Sequence, residues 1–184
     1  MRVALVHDWL DTWRGGENVL AEIVALYPDA DLFSLVDFLP DRYRARLAGK
    51  RATTTFLQHL PLARTRFRSY LPLMPRAIES LDLGGYDLVI SSSHAVAKGA
   101  PTVPGQLHIC YCHTPMRYAW DLREQYLEQA GIGHGWRGML ARRMLESLRR
   151  WDRSTSSRVT EFVANSDHIR QRIARCYERD ATVI

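Results

Sequence analysis

Apolar residues fall along this chain in short bursts, and longer stretches with helical spacing separate them. Val3-Ala4-Leu5-Val6 is typical: four apolar residues in a row, then polar residues and glycines. Such a burst reads as a strand buried on both faces. The pattern predicts strands over 2–7, 31–36, 51–55, 86–91, 107–112 and 160–165, with another opening at Thr182-Val183-Ile184. Between them, residues 17–27 bring Leu20, Ile23, Val24 and Tyr27 onto one helical face. Residues 138–154 repeat Leu140, Met144, Leu148 and Trp151 in the same way, with arginines on the other side. A third helix is expected over 166–177. Strands alternating with helices imply an α/β fold, a Rossmann-like parallel sheet flanked by helices.

The stretch 56–81 is less regular. Pro61, Pro72 and Pro75 break any continuous helix, and apolar and basic residues interleave through Arg64, Arg66, Phe67, Arg68 and Arg76. Two arrangements suit it: an exposed segment resting in a bilayer interface, or a helical hairpin packed over the sheet. The amphipathy of 138–154 suits ordinary core packing. There is no internal repeat or low-complexity tract. The length of 184 residues suits one domain, and the strand opening at the last residues leads us to expect a second domain after it.

Composition narrows the setting. No run approaches the roughly 20 apolar residues of a membrane-spanning helix. The first burst is also shorter than the roughly 7–15 apolar residues of a signal peptide. A cytoplasmic protein is therefore expected. Cys110 and Cys112 lie in one predicted strand, where alternate residues do not bridge readily, so buried free thiols are expected. His108, Cys110, Cys112 and His113 do not close a metal tetrahedron, because strand neighbours point to opposite faces. The net charge is +5. Nine basic residues fall within 42–76 with no Asp or Glu, and seven arginines fall within 137–158 against Glu146 and Asp152. One-sided charge suits an anionic partner such as a phospholipid surface or a diphosphate, or simply a solvated face. Candidate contacts are Arg64, Arg66, Arg68, Arg142 and Arg143. No nucleic-acid motif accompanies them.

Three places carry candidate chemistry. After the first strand comes His7-Asp8-Trp9-Leu10-Asp11-Thr12-Trp13-Arg14-Gly15-Gly16-Glu17. Paired glycines directly before a helix let backbone N–H groups approach an anion. This is not the dinucleotide fingerprint, which needs a third glycine and a shorter loop. The fifth strand delivers His113, Thr114, Arg117, Tyr118 and Trp120 to its carboxyl end, where a Rossmann-like sheet binds ligands. An imidazole there can hydrogen-bond a sugar hydroxyl, and aromatic rings can line a sugar's apolar faces. The alternative is a histidine satisfied by backbone. Third, Asn165-Ser166 precedes a helix; capping by Ser166 accounts for most of that motif. His59, His134 and His168 have no such setting.

Together, "VHDWL…RGGEN", "YCHTPMRYAWD" and "VANSDHIRQRI" resemble the N-terminal domain of the family 4 glycosyltransferases, especially bacterial mannosyltransferase-like members that build O-antigen or exopolysaccharide. The likeness spans residues 1–184, and "CHTPMRYAWD" is its most specific piece. It implies the N-terminal, acceptor-side half of a retaining two-domain (GT-B) fold, with a C-terminal nucleotide-sugar-binding half still to come. In such enzymes the glycine loop, here Gly15 and Gly16, approaches the donor diphosphate. The histidine matching His113 lies near the transferred sugar and serves activity. Arg117, Tyr118 and Trp120 would shape the acceptor side.

The implied activity moves a hexose, for instance mannose from GDP-mannose, to a lipid-linked or growing glycan, without metal or cofactor. The departing phosphate is thought to help deprotonate the acceptor. Alone, the domain would be inactive. Lipid-acceptor members dock on membranes through this half, so a peripheral position at the inner face of the plasma membrane is implied. The competing expectation is a non-catalytic glycolipid- or anion-binding module, or one subunit of a split transferase.

Overall fold

The computed structural model describes residues 1–121, 125, 127–128, 131 and 135–184, so His134 lies outside the described residues. Among them, seven parallel strands form one sheet in the order β3-β2-β1-β4-β5-β6-β7. The strands are β1 (Val3–His7), β2 (Asp31–Ser34), β3 (Thr53–Thr54), β4 (Leu88–Ser93), β5 (Leu107–Cys112), β6 (Glu161–Ala164) and β7 (Thr182–Val183). β1 lies between β2 and β4, so the winding reverses there, and a crevice opens beyond the carboxyl ends of these strands. This is the Rossmann-like arrangement that the alternating pattern implies.

Helices cover both faces. On one face α1 (Gly15–Leu26) packs Leu20 and Val24 against Val3, Leu5, Leu88 and Ile90. Each fully buried aliphatic side chain there contributes roughly 1.5–3 kcal/mol. On the other face Ala4, Val6 and Val89 meet Met74 and Ile78 of α3 (Met74–Glu79) and Leu145 and Leu148 of α5 (Gly135–Thr155). Between β3 and α3, the stretch rich in prolines is a string of 3-10 turns with α2 (Ala63–Arg66). Phe67 and Leu71 are buried, so this stretch packs on the sheet. The short α4 (Arg117–Trp120) follows β5.

At the far end of the sheet, α6 (Asp167–Tyr177) is capped by Ser166, whose hydroxyl accepts the Ile169 N–H at 3.3 Å. Glu178, with a φ of 55°, turns the chain out of α6. Cys176 on its inner side and Cys110 and Cys112 of β5 are buried free thiols.

One buried ion pair ties these layers together. Lys98 Nζ lies 3.0 Å from Asp152 Oδ1, and the Asp152 Oδ2 atom accepts the Trp120 indole N–H at 2.7 Å and the Tyr177 hydroxyl at 2.9 Å. Burial and the Asp152 charge push the Tyr177 phenol well above its ordinary range. The pair joins the turn after β4 to α4, α5 and α6. Among the described residues, no helix is long and apolar enough to cross a membrane.

Candidate functional site

β1, β4 and β5 end side by side, and their register puts His7 opposite Ser92 and Ser93 opposite Cys112. Side chains alternate across a strand, so His7, Ser92 and His113 share the face that α1 covers. They meet in a row. His7 Nδ1 is 3.1 Å from Ser92 Oγ, which is 2.9 Å from His113 Nε2. The first turn of α1 lies directly above. A methyl group on Gly16 would stand 3.6 Å from the His7 ring and 3.7 Å from the His113 ring. The glycine bend and His113, expected to converge, do so.

A crevice of about 590 Å³ opens here. Its lining includes Gly15, Gly16 and Glu17 from the start of α1, Trp9, Arg68 and His94, and His113, Arg117, Tyr118 and Asn165. Several of these were expected from the sequence. Trp120 was expected to shape the acceptor side, but it does not line the crevice; its indole is bonded to buried Asp152. Arg64, Arg66 and Arg143 are exposed and Arg142 is half-buried, all outside the crevice lining. Of the basic candidates only Arg68 reaches it, paired with Asp11 at 2.8 Å and stacked on Phe67 at 4.5 Å.

The arginine-rich stretches are less one-sided in space than along the chain. Arg44 makes a double contact with Asp37 at 2.8 and 2.6 Å, Arg51 meets Asp41 at 2.8 Å, and Arg158 meets Glu79 at 2.8 Å. Asp37, Asp41 and Glu79, all just outside the first stretch, pair with these.

Electrostatics separate the histidines. Asp8, fully buried at the tip of β1, accepts four successive N–H groups, from His94 at 2.6 Å, Ala95 at 3.0 Å, Val96 at 2.7 Å and Ala97 at 2.7 Å. His94 Nδ1 adds a contact at 2.9 Å. Burial alone would raise the Asp8 carboxyl, but His94 and these donors hold it well below the carboxylate range. Burial opposes charge on His94 as well; Asp8 outweighs it and the imidazole is raised above its ordinary value. His113 goes the other way, lowered to about 4 by burial, with the neighbouring His7 and His94 adding to the effect. The crevice thus sets His94, whose protonated form Asp8 favours, beside a neutral His113.

Glu17 is likewise ionised, because His7 and backbone N–H groups outweigh the burial that would raise it. Its Oε2 accepts the Arg14 N–H at 2.7 Å and so fixes the start of α1. Helix starts carry unused N–H groups and partial positive charge, which favour an anion at Gly15 and Gly16.

His7, Asp8 and Glu17 lie within the first candidate stretch, which assigns them no role of their own, and Ser92 and His94 lie outside all three candidate places. The one signal they left is polar residues at the tips of buried strands, above all Ser91-Ser92-Ser93-His94 after Leu88-Val89-Ile90. His108 sits on the opposite face, bonded to Ser91 at 2.7 Å, and burial lowers it to about 4. Among the described residues no three His, Cys, Asp or Glu side chains converge to hold a metal ion. The chain matches no family model, and no curated protein matches it.

Proposed function

We propose that this domain is the acceptor-side half of a retaining glycosyltransferase, working with a second, nucleotide-binding Rossmann-like half that faces the crevice. The observation that carries the proposal is the convergence of the Gly15–Gly16 helix start, the Asp8-paired His94 and neutral His113 on one crevice at the winding reversal of the sheet. The first two suit the diphosphate of a sugar nucleotide, since backbone amides and a fixed cation stabilise negative charge that grows as the bond to phosphate breaks. His113 suits a hydroxyl of the transferred hexose. Arg117 and Tyr118, which also line the crevice, suit the acceptor.

In the transfer, the sugar C1–O bond to phosphate breaks and a bond to the acceptor oxygen forms. The acceptor proton passes to the departing phosphate. No carboxylate base from this half is needed.

A lipid-linked acceptor at the cytoplasmic membrane face is the form of the proposal that the surface supports. Trp136, Met139 and Leu140 at the start of α5 are 68%, 56% and 60% exposed, with Arg137 and Arg143 beside them. Exposed apolar side chains among arginines suit an anionic interface.

The test is a transfer and hydrolysis assay across nucleotide sugars, GDP-mannose included, on the protein that carries both halves. Turnover of one donor is expected, with little or none from residues 1–184 alone. Binding of a glycolipid or simple anion with no turnover of any donor would replace the proposal with a binding module.

A further inference from the structure

Trp120 does not line the crevice, yet it ends α4, whose Arg117 and Tyr118 do. A single helical turn does not hold itself; isolated helices shorter than about 12–15 residues are marginal in water. The place of α4 is therefore set by what it is tied to. At the surface, Asp121 meets Arg172 and Arg175 of α6. Inside, the Trp120 indole N–H donates to Asp152 Oδ2 at 2.7 Å.

Asp152 has no exposure to water, and it pairs at 3.0 Å with Lys98, which is 1% exposed. Lys98 directly follows the 94–97 turn, whose N–H groups Asp8 takes and whose His94 lines the crevice. One buried carboxylate thus holds two parts of the crevice lining, the turn through Lys98 and α4 through Trp120. Hydrogen bonds are directional where apolar packing is not, so these contacts fix orientation as well as proximity.

We infer that Trp120 is a positioning residue: tied to Asp152, and through Lys98 to the turn that carries His94, it sets where Arg117 and Tyr118 stand in the crevice. The side chain acts through α4, without touching a ligand. Its bearing on an acceptor rests on the function proposed above; the anchoring itself does not.

Two variants separate anchoring from general stability. Trp120→Phe keeps an aromatic ring and removes the N–H donor. Tyr177→Phe takes the other bond from the same Asp152 oxygen, at 2.9 Å, and leaves α4 alone. Hydrogen exchange of residues 1–184, read by NMR, reports on the N–H groups of positions 119–121, which close α4 onto Met116 and Arg117. Trp120→Phe should speed their exchange roughly tenfold or more, the scale of one hydrogen bond to a charged group. Tyr177→Phe should leave it within about twofold. Equal acceleration in both variants, or none in either, would overturn the anchor. So would a wild-type Trp120 indole N–H that exchanges as fast as one open to water, a result that decides even where a variant does not fold.

In the proposed two-half enzyme, Trp120→Phe should raise the acceptor KM about fivefold or more with the donor KM unmoved, and Tyr177→Phe should move neither. Equal changes in both variants would return Trp120 to a packing role. The exchange measurements need no turnover, so failure of the anchor and failure of the proposed activity are separate results.

Discussion

Replacing Asp8 by Asn should unpin the crevice from the sheet. The carboxylate takes four backbone N–H groups between 2.6 and 3.0 Å and an imidazole at 2.9 Å, with no exposure to water. An amide offers one acceptor oxygen and turns its NH2 toward the remaining donors. A buried N–H left without an acceptor costs roughly 1–3 kcal/mol. With the pairing to His94 also lost, the total is about 3–5 kcal/mol, the range for breaking a buried ion pair. That is a large share of the roughly 5–15 kcal/mol holding a domain folded.

Urea unfolding at pH 7 reads the loss. With a slope of about 2–3 kcal/mol/M, the midpoint should fall by about 1–2.5 M. The sign with pH follows from the lowered carboxyl. Its contribution is complete above the unfolded value of about 3.9 and disappears as pH falls toward the folded one, so wild type and variant should draw together in acid. A midpoint shift under about 0.3 M at pH 7, or a difference that does not narrow below about pH 4, would refute the reasoning.

Other outcomes follow from the same geometry. His94 is raised, so its pairing with Asp8 is fully present below about pH 6.5 and lost as pH rises through the folded value. Sulfate binding followed by calorimetry should weaken over that rise, and affinity flat from about pH 6 to 9 would contradict a cationic His94. Gly16→Ala adds a methyl at ordinary contact distance from both rings, 3.6 and 3.7 Å, so thermal stability should be kept or slightly increased. Sulfate affinity should nevertheless drop about tenfold as the amide is screened; equal affinity would show that the anion sits elsewhere. Gly99→Ala would drive a methyl into the Trp151 ring, costing about 1–3 kcal/mol and lowering the melting temperature by roughly 2–12 °C. An unchanged melting temperature would mean that the α5 contact yields freely.

The strands were legible because a buried parallel strand is apolar throughout, and β1, β5 and β6 lie where the apolar bursts place them. The pattern misses at β4. Expected over 86–91, this strand runs Leu88–Ser93 because Ser91, Ser92 and Ser93 continue into the sheet, the first two by bonding His108, His7 and His113. Polarity that looks like a strand's end is there the wall of a site. β3 is only Thr53–Thr54, shorter than the expected 51–55, at the sheet edge.

Gly15, Gly16 and His113 were visible from their positions after strands, whereas Asp8 and Glu17 were not. Asp8 is held by residues 94–97 and Glu17 faces His7, and no local spacing records those contacts, although the Glu17 bond to the Arg14 N–H is a local one. Trp120 looked like a sugar platform beside Arg117 and Tyr118, but Asp152, 32 positions away, holds its N–H inside.

The central claim is that chemistry happens at the crevice above Ser92, and His113→Ala in the proposed two-half enzyme tests it most directly. Turnover should fall by about 100-fold, the scale of losing one orienting contact, while the urea midpoint moves by less than about 0.5 M. Losses of activity no larger than the loss of folded protein would return His113 to a packing role and remove the site.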